Sequence, residues 1–189
     1  MKLHVTKATD TNKISWQIGT LSIGVDASLY VQLHDILASL PSTEGISLSY
    51  TYQPFSAQGV SQGNAKGGNS LNIASENQVC RSFCIVYEEH HLLIDFNTGL
   101  GIASSWTDPT LSDTAISQVS QFIAKVSSAA AAKGKLLDFL FMNDANSLQN
   151  PLNSYGAAIV HHLESTSLKF DPKGTFQKLQ NCEFLLSKK

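Results

Sequence analysis

The stretch ISLSYTYQ, residues 46–53, alternates with a period of two. Ile46, Leu48, Tyr50 and Tyr52 fall on one side; Ser47, Ser49, Thr51 and Gln53 fall on the other. That period belongs to a β-strand with one face against a core. Upstream, Lys13 to Ile23 repeats the pattern, with Ile14, Trp16 and Ile18 set against Ser15, Gln17 and Gly19. Between the two strands, Leu29, Leu33, Ile36, Leu37 and Leu40 recur at helical spacing. Asp26 offers an N-cap to that helix and Pro41 stops it.

Downstream, Ser56 opens a short helix before the loop GNAKGGN (63–69). Val79–Val86 and His91–Phe96 read as strands, and 97–106 continues the second through its glycines. Ile116, Val119, Phe122, Ile123 and Val126 stripe a long helix from Asp113 to Lys133, closed by Gly134. Leu136 to Met142 reads as a short interior strand. Pro151 sits near the start of a helix over 152–168. This order predicts an α+β fold in a single module spanning residues 1–189. Its mostly antiparallel sheet has helices packed on one face, and the other face lines a pocket or an interface.

Composition narrows the chemistry. The 189 residues are 42% hydrophobic and only 15% charged, with a net charge of −2. No basic patch interleaved with aromatics is present, so no nucleic acid is expected as a partner. No apolar run approaches membrane-spanning length, so no membrane is expected either. With no signal peptide and an odd number of cysteines (Cys80, Cys84, Cys182), the reading is a cytoplasmic protein with reduced thiols. Metal is not expected. His90 and His91 are adjacent on a strand and diverge to opposite faces, while His161 and His162 on a helix diverge by about 100°.

The polar side of the sheet, read as Ser15, Gln17, Ser47, Ser49, Thr51 and Gln53, carries no charge. An ordinary solvated face collects Lys and Glu, so a neutral one points to a covered surface or a cavity wall. The loop FMNDANSLQNPLNSYG (141–156) is dense in amides, which hold neutral polar ligands without charge. His91, beside Asp95, is the acid–base candidate, with Tyr155 as a weak acid.

Six segments in this order resemble one family. They are TYQPF (51–55), GGNSL (67–71), SSWTD (104–108), FMNDA (141–145), QNPLNSYG (149–156) and KFDPKGTFQKL (169–179). Together they resemble the later part of fungal FAD-linked oxidoreductases of the berberine-bridge-enzyme-like kind. The resemblance covers about residues 26–186. It implies the substrate-domain sheet, which in that family roofs the reactive face of the flavin, and it places Asn143 beside the site. The flavin-binding half has no counterpart here, so no cofactor is expected to be held by this chain alone.

The resulting expectation is a cofactor-independent enzyme that promotes cyclisation or isomerisation of a small apolar natural product. His91, Asn143 and Tyr155 would be catalytic, with Gln17, Thr51, Gln53 and Trp106 binding substrate. The alternative is a non-catalytic binding module, or the partner half of a split FAD-linked oxidoreductase. A homodimer or association with a flavoprotein would then cover the neutral sheet face.

Overall fold

The computed structural model describes residues 14–68, 70–76, 78–79, 100–180 and 184–186. Among these, six strands form an antiparallel sheet in the order β2-β5-β1-β4-β3, with β6 also paired to β1. Its centre is β1 (Ser15–Gly24) flanked by β5 (Leu100–Trp106), and β5 is flanked in turn by β2 (Ile46–Thr51). Short strands β3 (Pro54–Phe55), β4 (Gln78–Val79) and β6 (Leu136–Leu137) extend the far end. Both β4 and β6 pair with Ile23, so they lie on opposite edges of β1.

Two helices cover one face. Helix α1 (Ala27–Ala38) starts where the Asp26 carboxylate accepts the Leu29 N–H at 2.8 Å. Helix α3 (Ser112–Ala132) has Asp113 in its first turn and ends at Gly134, φ +62°, with Lys135 N–H closing on Ala130 O at 2.8 Å. Leu29 and Leu33 of α1 and Val119, Phe122 and Val126 of α3 are fully buried against Leu21, Ile23 and Ile102. Helix α2 (Ala57–Ala65) is capped by Ser56, as its sequence indicates.

Three expectations change. The apolar run Leu136–Met142 is not an interior strand: pairing stops at Leu137, Leu136 is 41% exposed, and Met142–Asp144 is a 3₁₀ turn. Asp138 interrupts the run, and a charge has no place inside a sheet. The helix expected over 152–168 is two helices, α4 (Pro151–Ser154) and α5 (Ala157–Phe170), broken at Gly156 with φ +83°. A short α6 (Thr175–Leu179) follows.

The third change concerns which side of β1 faces the helices. Residues paired across antiparallel strands share a face. Ser15, Gln17 and Gly19 are opposite Trp106, Ser104 and Ile102, which are opposite Ile46, Leu48 and Tyr50. This set faces α1 and α3. Ile14, Trp16 and Ile18 point the other way. The apolar phase of β1 reverses at Gly19–Thr20, because Leu21 and Ile23, not Ile14 and Trp16, lie under the helices. A Cβ at Gly19 would sit 2.5 Å from the Ile123 side chain, so α3 packs directly on the backbone there.

Asp26 also gives the fold an acid-sensitive point. Bonds from the Ser28 hydroxyl and the Leu29 N–H hold its carboxyl below the usual value of 3.8. A depressed folded-state pKa adds stability above the unfolded value and loses it as pH falls through the folded one. Thermal melts of Asp26→Asn, whose amide oxygen still caps, are expected to show a weaker fall in Tm below about pH 4 than the parent chain.

Candidate functional site

The face turned away from α1 and α3 is built in rows. Ser47, Ser105 and Trp16 form one; Ser49, Ala103 and Ile18 the next; Thr51, Gly101 and Thr20 the third. Ser22 continues along β1. None of these side chains carries a charge. Trp16 and Ile18 are half-buried and Ile14, on the same side, is 46% exposed. An apolar strip bordered by hydroxyls and small residues suits a flat, neutral, partly aromatic occupant.

At its far end Thr20 and Ser22 are fully buried, and among the described residues their hydroxyl oxygens have no hydrogen-bond partner. Each such group costs about 1–3 kcal/mol against a bonded one.

The amide-rich loop holds this face in place rather than lining it. Gln149 Nε2 donates to Thr20 O at 2.6 Å, and its Oε1 accepts from Thr20 N–H at 3.1 Å and Asn146 N–H at 3.3 Å. One side chain thus takes the place of a neighbouring strand on the edge of β1 away from β5. Asn146, 8% exposed, accepts the Leu148 N–H and lies near Gly19 on the helix side. Gln149→Ala leaves both Thr20 backbone groups unpaired; urea unfolding is expected to show a loss of about 2 kcal/mol.

The residues singled out by sequence do not converge. Thr51 lies on the neutral face. Gln17 and Trp106 lie on the helix side; Trp106 is 2% exposed and its indole N–H donates to Ser112 Oγ at 3.0 Å. Gln53, just past β2, is buried, and its Oε1 is unbonded among the described residues. Asn143 is exposed in the 3₁₀ turn. Tyr155 is buried and stacks on Phe139 at 5.8 Å, within a second apolar cluster that includes Phe55, Ile73 and Leu163. His91, Asp95 and the three cysteines lie outside the described residues.

Sequence reasoning missed Trp16, Ile18, Ser105 and Thr20 as members of the neutral face. The signal was IGTL (18–21), where apolar residues change parity.

Hollows lie elsewhere among the described residues. One of about 560 Å³ is lined by Asn150, Leu152, Asn153, His161, Glu164 and Leu185; another of about 600 Å³ is lined by Asn72, Gln78, Asp138, Phe139 and Ser154, among others. Neither is lined by Asn143 or Thr51. Among the described residues no cluster of three His, Cys, Asp or Glu is placed to hold a metal, and no helix is long and apolar enough to cross a membrane.

No family model matches the chain, and no solved structure does. Curated relatives do match. An FAD-dependent monooxygenase of Arthrobotrys oligospora is 33% identical over 151 residues, 79% of this chain and 25% of that protein. An FAD-dependent monooxygenase of Penicillium terrestre is 28% identical over 175 residues, covering 89% and 30% respectively. The bifunctional solanapyrone synthase of Alternaria solani is 25% identical over 179 residues, covering 93% and 31%. The chain therefore spans between a quarter and a third of the length of each of these three relatives. It is a partial relative of fungal FAD-linked oxidoreductases.

Proposed function

We propose that this chain is the substrate-side portion of an FAD-linked oxidoreductase. Its neutral sheet face would form one wall over a planar ring held by a flavin-bearing portion. The observation that carries this is the uncharged face itself, with Trp16 and Ile18 turned away from the helices that bury the rest of the sheet. The likeness to the later part of berberine-bridge-enzyme-like oxidases supports it, as does partial kinship with proteins named FAD-dependent monooxygenases.

The side chains of the face fit one end of the cofactor. Ser47, Ser49, Thr51 and Ser105 offer neutral hydroxyls, and Trp16 and Ile18 offer apolar contact. A diphosphate calls for cations or free helix N–H groups, which the described residues of this face do not carry. A flavin, when bound, supplies two-electron redox chemistry. This chain's residues pack against the ring and the substrate, donate hydrogen bonds to neutral oxygens and exclude water.

The cofactor-independent reading keeps the same wall. A face of hydroxyls around an apolar strip can hold a small apolar natural product in one reactive conformer for cyclisation or isomerisation. Thr51 is the expected binding residue that this face retains.

Incubating the purified chain with extracts of the organism that produces it separates the two. Isomeric products of unchanged mass formed by a colourless protein support cofactor-free chemistry. Turnover that appears only with a flavoprotein fraction, and is lost in Ile18→Asp, supports the proposed role. Flavin-dependent turnover unaffected by Ile18→Asp would refute it.

A further inference from the structure

β1 is held at Gly19–Thr20 from two directions. On the helix side, α3 packs on the Gly19 backbone. On the edge away from β5, Leu137 of β6 pairs with Ser22, and Gln149 takes over at Thr20. From Ile18 back to Ser15, no described strand pairs with that edge. Among the described residues, Gln149 is thus the last tie before the half of β1 that carries Trp16 and Ile18.

The tie is itself held in place. Gln149 stands between two side-chain caps. Asn146 Oδ1 accepts the Leu148 N–H at 2.9 Å, and Asn150 Oδ1 accepts the Asn153 N–H at 3.2 Å, at the start of α4. Ser154 Oγ, at the end of α4, accepts the Leu140 N–H at 2.9 Å and donates to Pro151 O at 2.6 Å. The loop is therefore closed on itself, next in sequence to the stacked and buried Phe139 and Tyr155. The carboxamide has one workable orientation, since Oε1 meets two N–H groups and Nε2 meets a carbonyl.

We propose that Gln149 is the positioning residue of the neutral wall. Through the Thr20 backbone it sets where Ile18 and Trp16 stand, two and four residues back on the same face, and so how tightly that face takes a flat neutral ring. The inference rests on the proposed function and deepens it: affinity for the ring is governed from a loop that does not supply the wall's side chains. A side chain that replaced a strand for stability alone would leave ring affinity unchanged in the folded chain.

The test is titration with lumiflavin, followed by NMR, of the parent chain, Gln149→Glu, Gln149→Met and Phe122→Leu, each shown to be folded by circular dichroism. Gln149→Glu keeps the length and the acceptor for both N–H groups, and sets an oxygen against Thr20 O. Gln149→Met removes all three bonds at similar volume. Both are expected to raise Kd about tenfold. The Trp16 indole and Ile18 amide signals are expected to be displaced already in the unliganded variants, with the Trp106 indole unmoved. Phe122→Leu weakens the core under Tyr50 instead, and is expected to bind lumiflavin as the parent does.

Parent-like affinity in both Gln149 variants overturns the inference and leaves the proposed function standing. An equal weakening in Phe122→Leu would tie affinity to overall stability and overturn it as well. If the parent shows no saturable shift, the proposed function falls and the inference with it.

Discussion

Phe122→Ala is expected to lower the unfolding free energy by about 4 kcal/mol, read from urea titration by circular dichroism. Phe122 is fully buried at the middle of α3 and belongs to the cluster that joins both helices to the sheet. Its ring lies 5.7 Å from that of Tyr50 on β2, which lies in turn 5.4 Å from Tyr52. Tyr52 leans on Tyr30 of α1 at 4.9 Å and donates its hydroxyl to Tyr30 O at 3.0 Å. Removing Phe122 opens a cavity under this aromatic chain, and its members are tied to separate elements and cannot close over it together. Phe122→Leu, which keeps most of the volume, is expected to lose much less. Equal losses for the two variants would mean that packing at this point is not what couples α3 to the sheet.

Gly19→Val is expected to cost about 3 kcal/mol by overpacking, with Gly19→Ala costing less. A Cβ there meets Ile123 Cδ1 at 2.5 Å, Asn146 Nδ2 at 3.1 Å and Val119 Cγ1 at 3.4 Å. The end of Ile123 can rotate away from one methyl group. It cannot rotate away from a branched side chain that also crowds Asn146, the residue adjoining the Gln149 clamp. The damage should therefore reach the neutral face: amide exchange at Thr20 is expected to quicken in Gly19→Val more than in Phe122→Ala. A stability within about 0.5 kcal/mol of the parent would contradict the close contact between α3 and β1.

Much of the architecture follows from periodicity. The alternation in 46–53, the apolar stripes of α1 and α3, and the Asp26 and Ser56 caps are local signals, and each lands within a residue or two of its element. Two features were not local. In β1 the apolar side changes at Gly19, so a window ending at Ile18 assigns the wrong face to Ser15 and Gln17. Which half of a strand lies under a helix depends on where the helix crosses, and α3 is nearly a hundred residues away in the chain. Leu136–Met142 has the composition of a strand, but its pairing with β1 stops at Leu137, and at Thr20, further along β1, that edge is taken by Gln149.

The candidate site was legible as a property rather than as a set of side chains. An uncharged sheet face was readable in Ser47, Ser49 and Thr51; Trp16, Ile18 and Ser105 joined it only through register. Tyr155 and Trp106 look like site aromatics in sequence, because a buried ring and a ligand-facing ring share a residue type. Their burial and their partners Phe139 and Ser112 place them in packing. The amides of residues 143–150 looked like ligand donors, and Gln149 spends its amide on the Thr20 backbone instead.

The most direct test of the neutral wall is a titration of the ¹⁵N-labelled chain with lumiflavin, the bare flavin ring, followed by NMR. The two tryptophan indole signals give opposite readouts, since Trp16 faces the proposed ring and Trp106 is bonded to Ser112 beneath the helices. The expected result is a saturable shift of the Trp16 indole and of the Ser49 and Ser105 amides, with the Trp106 indole unmoved and the response lost in Ile18→Asp. Shifts at Trp106 without Trp16, or no saturable shift at any position on this face, would contradict the account.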